Sequence, residues 1–261
     1  MIQTALVWSE RFLALAIFFQ TIELLQLRSA WSDQGVWRAA TLGKDRLKLP
    51  SFIQVLLNFL FKESNFNLLL WIRLVVSVGV WLISPYSLFI AILFLSTWLI
   101  AIRWRGIFNG GSDSMTALVG LSLWIAQSFS HHPLVVKACF AYIAIQVTAS
   151  YFLAGVSKLK NAEWRRGAVL PVFFNTPRYD SPPDWVRKLF DQPRLAKSLS
   201  VLVIIFEFGF PLCWINPTFC LGYLGLAFGF HLVTFWVFGL NRFVFAWLAG
   251  YPAVYFWSHH L

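Results

Sequence analysis

The chain has 261 residues, of which 59% are hydrophobic and only 12% charged, with 14 Trp and 27 Phe. Soluble domains carry roughly 25% charged residues, so this composition excludes an ordinary water-soluble domain and makes lipid the expected solvent. The net charge of +10 does not point to nucleic acid, because the basic residues lie in loops between apolar stretches, where they meet anionic headgroups.

A membrane-crossing helix needs about 20 mainly apolar residues. In chain order the candidate spans are 12–27, 68–83, 86–102, 115–130, 133–157, 199–215, 217–238 and 243–258. The expected fold class is therefore all-α: a polytopic transmembrane helical bundle of about seven or eight spans, forming a single domain over 1–261, with short interfacial helices. The breakers between spans are Ser84-Pro85, Asn109-Gly110-Gly111, His132-Pro133, Asn216-Pro217 and Gly239. The first span follows Glu10 and Arg11 and has no A-x-A cleavage site, so a removable signal is not expected. Its Gln20, Glu23 and Gln26 recur at helical spacing, a polar stripe that either faces other helices or lies in the interface.

Two connections, 28–67 and 158–198, are longer than turns. Each contains a short amphipathic piece, 52–60 and 185–190, too short to span and suited to the headgroup level. Lys and Arg concentrate in these connections, six in the first and nine in the second, with two more in 103–114 and one at Arg242. The turns at 84–85, 131–132 and 216 carry none. By the positive-inside rule the basic face is cytoplasmic, which puts both termini outside if eight spans alternate. The expected location is a bacterial inner (plasma) membrane.

Cys139, Cys213 and Cys220 lie in or beside apolar stretches without metal-ligand spacing, and read as small buried hydrophobes. Neighbouring histidines at 131–132 and 259–260 do not share a helix face, so no metal site is expected. Ionisable groups at bilayer depth cost about 2.5–3.5 kcal/mol each and need a reason. Glu207 and His231 sit mid-span, and Lys158 closes the fifth span: an acid, an imidazole and an amine on three helices that can converge. Simpler readings stand beside each of them. Lys158 snorkels to the interface, Glu207 pairs as interhelical glue, or His231 bonds a backbone carbonyl.

The segment Tyr151-Phe152-Leu153-Ala154-Gly155-Val156-Ser157-Lys158-Leu159, followed by Trp164 and Gly167, resembles the HTTM family, the transmembrane domain shared with vitamin K-dependent gamma-glutamyl carboxylase. Phe108-Asn109 before a polar turn, Glu207, and Phe230-His231 resemble further family positions in chain order. Residues 100–257 carry the resemblance well. It implies a lysine base at Lys158 acting on a reduced, vitamin K-like quinone, with Glu207 and His231 shaping the catalytic pocket. Asn109, Tyr151, Gly155 and Trp164 are the implied substrate-binding residues. The chain departs from the enzyme in having glycine and serine after Asn109 in place of a histidine, and in ending at Leu261 without the enzyme's large following domain. Three readings follow. One is a quinol- or lipid-linked oxygenase or carboxylase-like membrane enzyme. The second is a non-enzymatic helper for maturation or export of a secreted peptide, working with that peptide or a separate soluble partner. The third is a quinone- or lipid-binding membrane protein.

Overall fold

A computed structural model describes residues 1–83, 86–104, 110–175 and 184–260, with the side chains of all of these except 42 and 44–46. Among the described residues every regular element is helical. Four helices, Ile2–Gln26, Glu63–Leu82, Pro133–Lys160 and Pro217–Phe238, are long and apolar enough to cross a membrane. The chain divides into two compact units, one built from Ile2–Cys139 with Phe245–Ala249, the other from Phe140–Val244 with Gly250 onward.

The first unit begins with α1 (Ile2–Gln26), which starts ten residues earlier than the apolar run from Phe12 suggests. Glu10 and Arg11 do not stop it, because both are good helix formers and helical backbone satisfies its own hydrogen bonds. Next come α2 (Arg28–Trp31), α3 (Ala39–Leu42), a 3-10 turn (Gly43–Lys48), α4 (Ser51–Leu60), α5 (Glu63–Leu82), α6 (Ser87–Arg103) and α7 (Gly111–Ser128). The expected breaker at Ser84-Pro85 lies outside the described residues. α1 packs on α5 and α7, and α6 on α5 and α7.

A polar knot joins these four helices. Gln20 donates to Asp113 Oδ1 at 2.9 Å and accepts from Arg73 Nη2, which also donates to Thr97 Oγ1 at 2.9 Å. The polar stripe of α1 therefore splits: Gln20 is buried, and Gln26 is exposed. Arg73, wholly buried, holds α1 and α6 to α5. Hydrogen bonds that include a charged group contribute about 1.5–3 kcal/mol each, enough to offset the burial of so polar a cluster.

Arg103, the last residue of α6, anchors the 28–62 connection. Its guanidinium donates to the Trp31 carbonyl at 2.6 Å. It also lies over the rings of Phe66 (4.4 Å), Trp104 (5.4 Å), Trp31 and Phe61 (both 5.9 Å). Beneath it the apolar core of Leu24, Trp31, Leu57, Phe61, Phe66, Leu70 and Ile100 closes. α4 contributes Leu57 to that core and leaves Phe52, Val55, Leu56 and Phe59 exposed, the two-faced pattern its sequence predicts.

The second unit takes up α8 (Pro133–Lys160) from Phe140. Its buried stripe of Phe140, Ile143, Ala144, Val147 and Tyr151 follows the three-and-four spacing of one helix face. Three short helices fill the second long connection: α9 (Ala162–Arg166), α10 (Val169–Asn175) and α11 (Asp184–Phe190). α12 (Pro193–Phe208) then passes into a 3-10 turn (Phe210–Trp214). The span expected over 199–215 is thus interrupted at Gly209, where Pro211 lacks the N–H that would continue the α pattern. α13 (Pro217–Phe238) is unbroken. The stretch expected as a single span over 243–258 is divided into α14 (Asn241–Leu248) and α15 (Tyr251–Trp257), with Gly250 at the break and Pro252 in the first turn of the second piece.

Two stability outcomes follow. Arg103→Met removes a charge-assisted bond and a stacked cation, and should cost about 3 kcal/mol in detergent unfolding, first exposing the 28–62 connection to proteolysis. Glu10 is fully buried, and its carboxylate oxygens have no hydrogen-bond partner among the described residues. Glu10→Leu should therefore raise the unfolding midpoint, by about 1–3 kcal/mol in stability.

Candidate functional site

The second unit holds the lysine, the glutamate and the histidine singled out from the sequence. α8 presents Tyr151, Gly155 and Lys158 at spacings of four and three, so all three lie along one face. At Gly155 that face meets α12 backbone to backbone. A Cβ there would collide with the Phe208 nitrogen and lie 2.8 Å from the Glu207 carbonyl carbon. Gly155 is thus the point at which two helices touch, and the close approach carries Glu207 to Lys158. Lys158 Nζ donates to both carboxylate oxygens, at 2.8 and 2.6 Å.

The pair is asymmetric. The Glu207 side chain is 4% exposed and that of Lys158 is 19% exposed. Lys158 forms part of the wall of a cavity of about 210 Å³, shared with Trp164, Phe173, Phe230, Thr234 and Phe238 among others. Its ammonium lies 5.1 Å from the Trp164 ring centroid, within cation–π range. Trp164 is held in turn, because its carbonyl accepts from Ser200 Oγ of α12. After α9 the chain reverses at Gly167, whose φ of +79° suits glycine and whose Cα lies against the Lys197 backbone.

His231 takes a different position from the one expected. Its Nε2 is 2.7 Å from the Tyr151 hydroxyl, and that hydroxyl is 2.9 Å from the hydroxyl of Tyr251 on α15. The Tyr151 ring stacks on Phe210 at 4.1 Å. Lys158 and Glu207 are therefore paired directly, whereas His231 ends a buried imidazole–phenol–phenol chain, with Tyr151 in the middle, two turns along α8, and its neighbour Phe230 reaches the cavity wall. Of the residues expected to bind substrate, Trp164 lines the cavity, Tyr151 is in the hydrogen-bonded chain, Gly155 sets the helix contact, and Asn109 lies outside the described residues. Sequence reasoning missed Tyr251 and Thr234. Thr234 stands one helical turn after His231, a spacing that was available; nothing around Tyr251 marked it.

No protein-family model matches the chain, and no curated protein or solved structure does either.

The close approach at Gly155 sets a testable requirement. Gly155→Ala should force α8 and α12 apart and cost about 1–3 kcal/mol, read as a lowered unfolding midpoint. Gly155→Ser, no smaller at Cβ, should do no better.

Proposed function

We propose that this chain is an integral membrane protein of about seven or eight spans whose Lys158, backed by Glu207, is the base of a quinol- or lipid-linked, carboxylase-like enzyme. The observation that carries the reading is the placement of Lys158. Among the described residues lining the cavity it alone is ionisable, and a buried carboxylate stands behind it. Support for the membrane setting comes from four helices of spanning length and apolarity and from the concentration of Lys and Arg in alternate connections. Under the positive-inside rule these connections face the cytoplasm of a bacterial inner membrane.

The chemistry follows from the pair. Separated charges are costly in apolar surroundings, by several kcal/mol per ion. An ammonium held on a carboxylate has a low-cost alternative, because passing one proton to Glu207 leaves a neutral amine at the cavity wall and a neutral acid behind it. The amine can then accept a proton from a hydroxyl that enters the cavity. Lys158, restored as an ammonium, stabilises the oxyanion left behind, while Glu207 keeps the proton it took and regains its negative charge when it releases that proton to solvent before the next turnover. Trp164 keeps the amine oriented and water away.

The residues present also fit the head group of a reduced, vitamin K-like quinone. An apolar cavity of about 150 Å³ accepts benzene, so 210 Å³ suits a substituted ring and not a whole lipid. Aromatic walls would hold the ring, with Lys158 and Thr234 as polar anchors. When bound, such a quinol supplies electrons to oxygen and so the strong base that carboxylation requires. The likeness of the 151–167 segment to the HTTM family supports the same reading.

The test uses the purified chain in lipid nanodiscs with reduced quinones and oxygen, following quinone oxidation products by mass spectrometry. Wild type should turn over, and Lys158→Ala should lose at least about 100-fold, the lower end of what a general base contributes. Glu207→Gln should fall in the same direction while still folding. Equal turnover in wild type and Lys158→Ala, or none with any quinol, would remove the enzymatic reading.

A further inference from the structure

The first unit holds a carboxyl group for which the fold supplies no partner. Glu10 lies in α1, about two turns from its start. It has no exposed surface, and neither of its oxygens has a hydrogen-bond partner among the described residues. It makes no ion pair among them either. Ser9 beside it is equally buried, and its hydroxyl does not bond the carboxylate.

The register of the helices around α1 keeps counter-charges away from Glu10. α5 is antiparallel to α1: Gln20 bonds Arg73, and Arg28, two residues past α1, pairs with Glu63 at 2.9 Å. α7 is antiparallel to α1 as well, because Asp113 meets Gln20 and Gly120 approaches Leu13. The charged residues of α5, α6 and α7 are Glu63, Arg73, Arg103 and Asp113. All four lie at the level of Gln20 or beyond it, and Gln20 is ten residues, or about 15 Å, from Glu10 along α1. Phe245–Ala249, the remaining segment of this unit, carries no charge. On α1 itself Glu23 lies further away still. The Arg11 guanidinium is drawn over the ring of Trp8 at 5.4 Å, and Trp8 is on the exposed side of the helix. At the end of the unit nearest Glu10, Tyr86, His131, His132 and Lys137 are all exposed. No group of three or more His, Cys, Asp or Glu side chains that could hold a metal ion occurs among the described residues.

An ionised carboxylate alone in apolar surroundings costs far more than the neutral acid, and a group so placed takes up a proton instead. We propose that Glu10 is a proton-binding site, a neutral carboxylic acid in the folded protein. The proton is taken from water as α1 packs onto α5 and α7. It returns to water on unfolding, when the side chain becomes an ordinary carboxylate. Packing of α1 is thereby tied to pH, and the first unit weakens as pH rises. Lys158 and Glu207 belong to the other compact unit, and the proton on Glu10 takes no part in their chemistry.

The test is proton linkage, measured by reversible unfolding of the full chain in lipid bicelles. Wild type is compared with Glu10→Gln, which keeps the size of the side chain and cannot ionise. Unfolded Glu10 ionises above about pH 4.3. From there upward the folded wild type holds one more proton than the unfolded chain, so its unfolding constant rises relative to that of Glu10→Gln. The ratio of the two constants should grow at least about tenfold between about pH 5 and pH 7. Glu163→Gln, at an exposed position, should show no such trend. A ratio for Glu10→Gln that stays constant, or falls, overturns the proton site. Infrared spectroscopy in nanodiscs gives a direct reading that needs no unfolding. At neutral pH the spectrum of wild type minus Glu10→Leu should contain a carboxylic acid C=O band, and carboxylate bands in its place overturn the site as well.

Discussion

The second unit depends on one close approach. Gly155 lets the backbone of α8 touch that of α12 at Glu207 and Phe208, and much of the candidate site follows from that spacing. With the helices this near, a lysine side chain one turn along α8 needs no long reach to a carboxylate, and both Glu207 oxygens can be satisfied by one ammonium. Any larger residue would separate the helices and lengthen the pair. In apolar surroundings, where a lone charge costs several kcal/mol, that would turn a stabilised pair into an expensive one.

The first unit solves the same problem by other means. Arg73 shares its bonds between an amide and a hydroxyl, and the amide passes the interaction on to Asp113. Arg103 sits among four aromatic rings and a carbonyl. In both cases a guanidinium, with donors in a planar fork and weaker hydration than an ammonium, is the cation that tolerates burial. Lys158 differs because it remains partly exposed at a cavity. That contrast separates cations buried within the fold from the one that borders a cavity.

The buried chain of Tyr151, His231 and Tyr251 shows how a reading by residue type falls short. An imidazole in an apolar helix reads as a member of whatever polar site lies nearest. In the structure its partner is set by rotation of α13 about its own axis and by where α15 docks, neither of which hydropathy encodes. The break at Gly250 that creates α15 also brings Tyr251 inward.

The sequence by itself determined the all-helical class, most of the helix positions and the short amphipathic segments, because apolar run length, proline and glycine act locally. It also marked Lys158, Glu207 and His231 as costly residues in need of partners, since the cost of a polar group in apolar surroundings does not depend on where its partner comes from. Only the tertiary structure decided which partners they found. It paired Lys158 with Glu207 across 49 positions of sequence and His231 with Tyr151 across 80. It also carried α1 through Glu10 and Arg11. Each of these outcomes depends on helix rotation, crossing and end geometry. Those are fixed by the summed packing of many side chains, and no short window of sequence contains them.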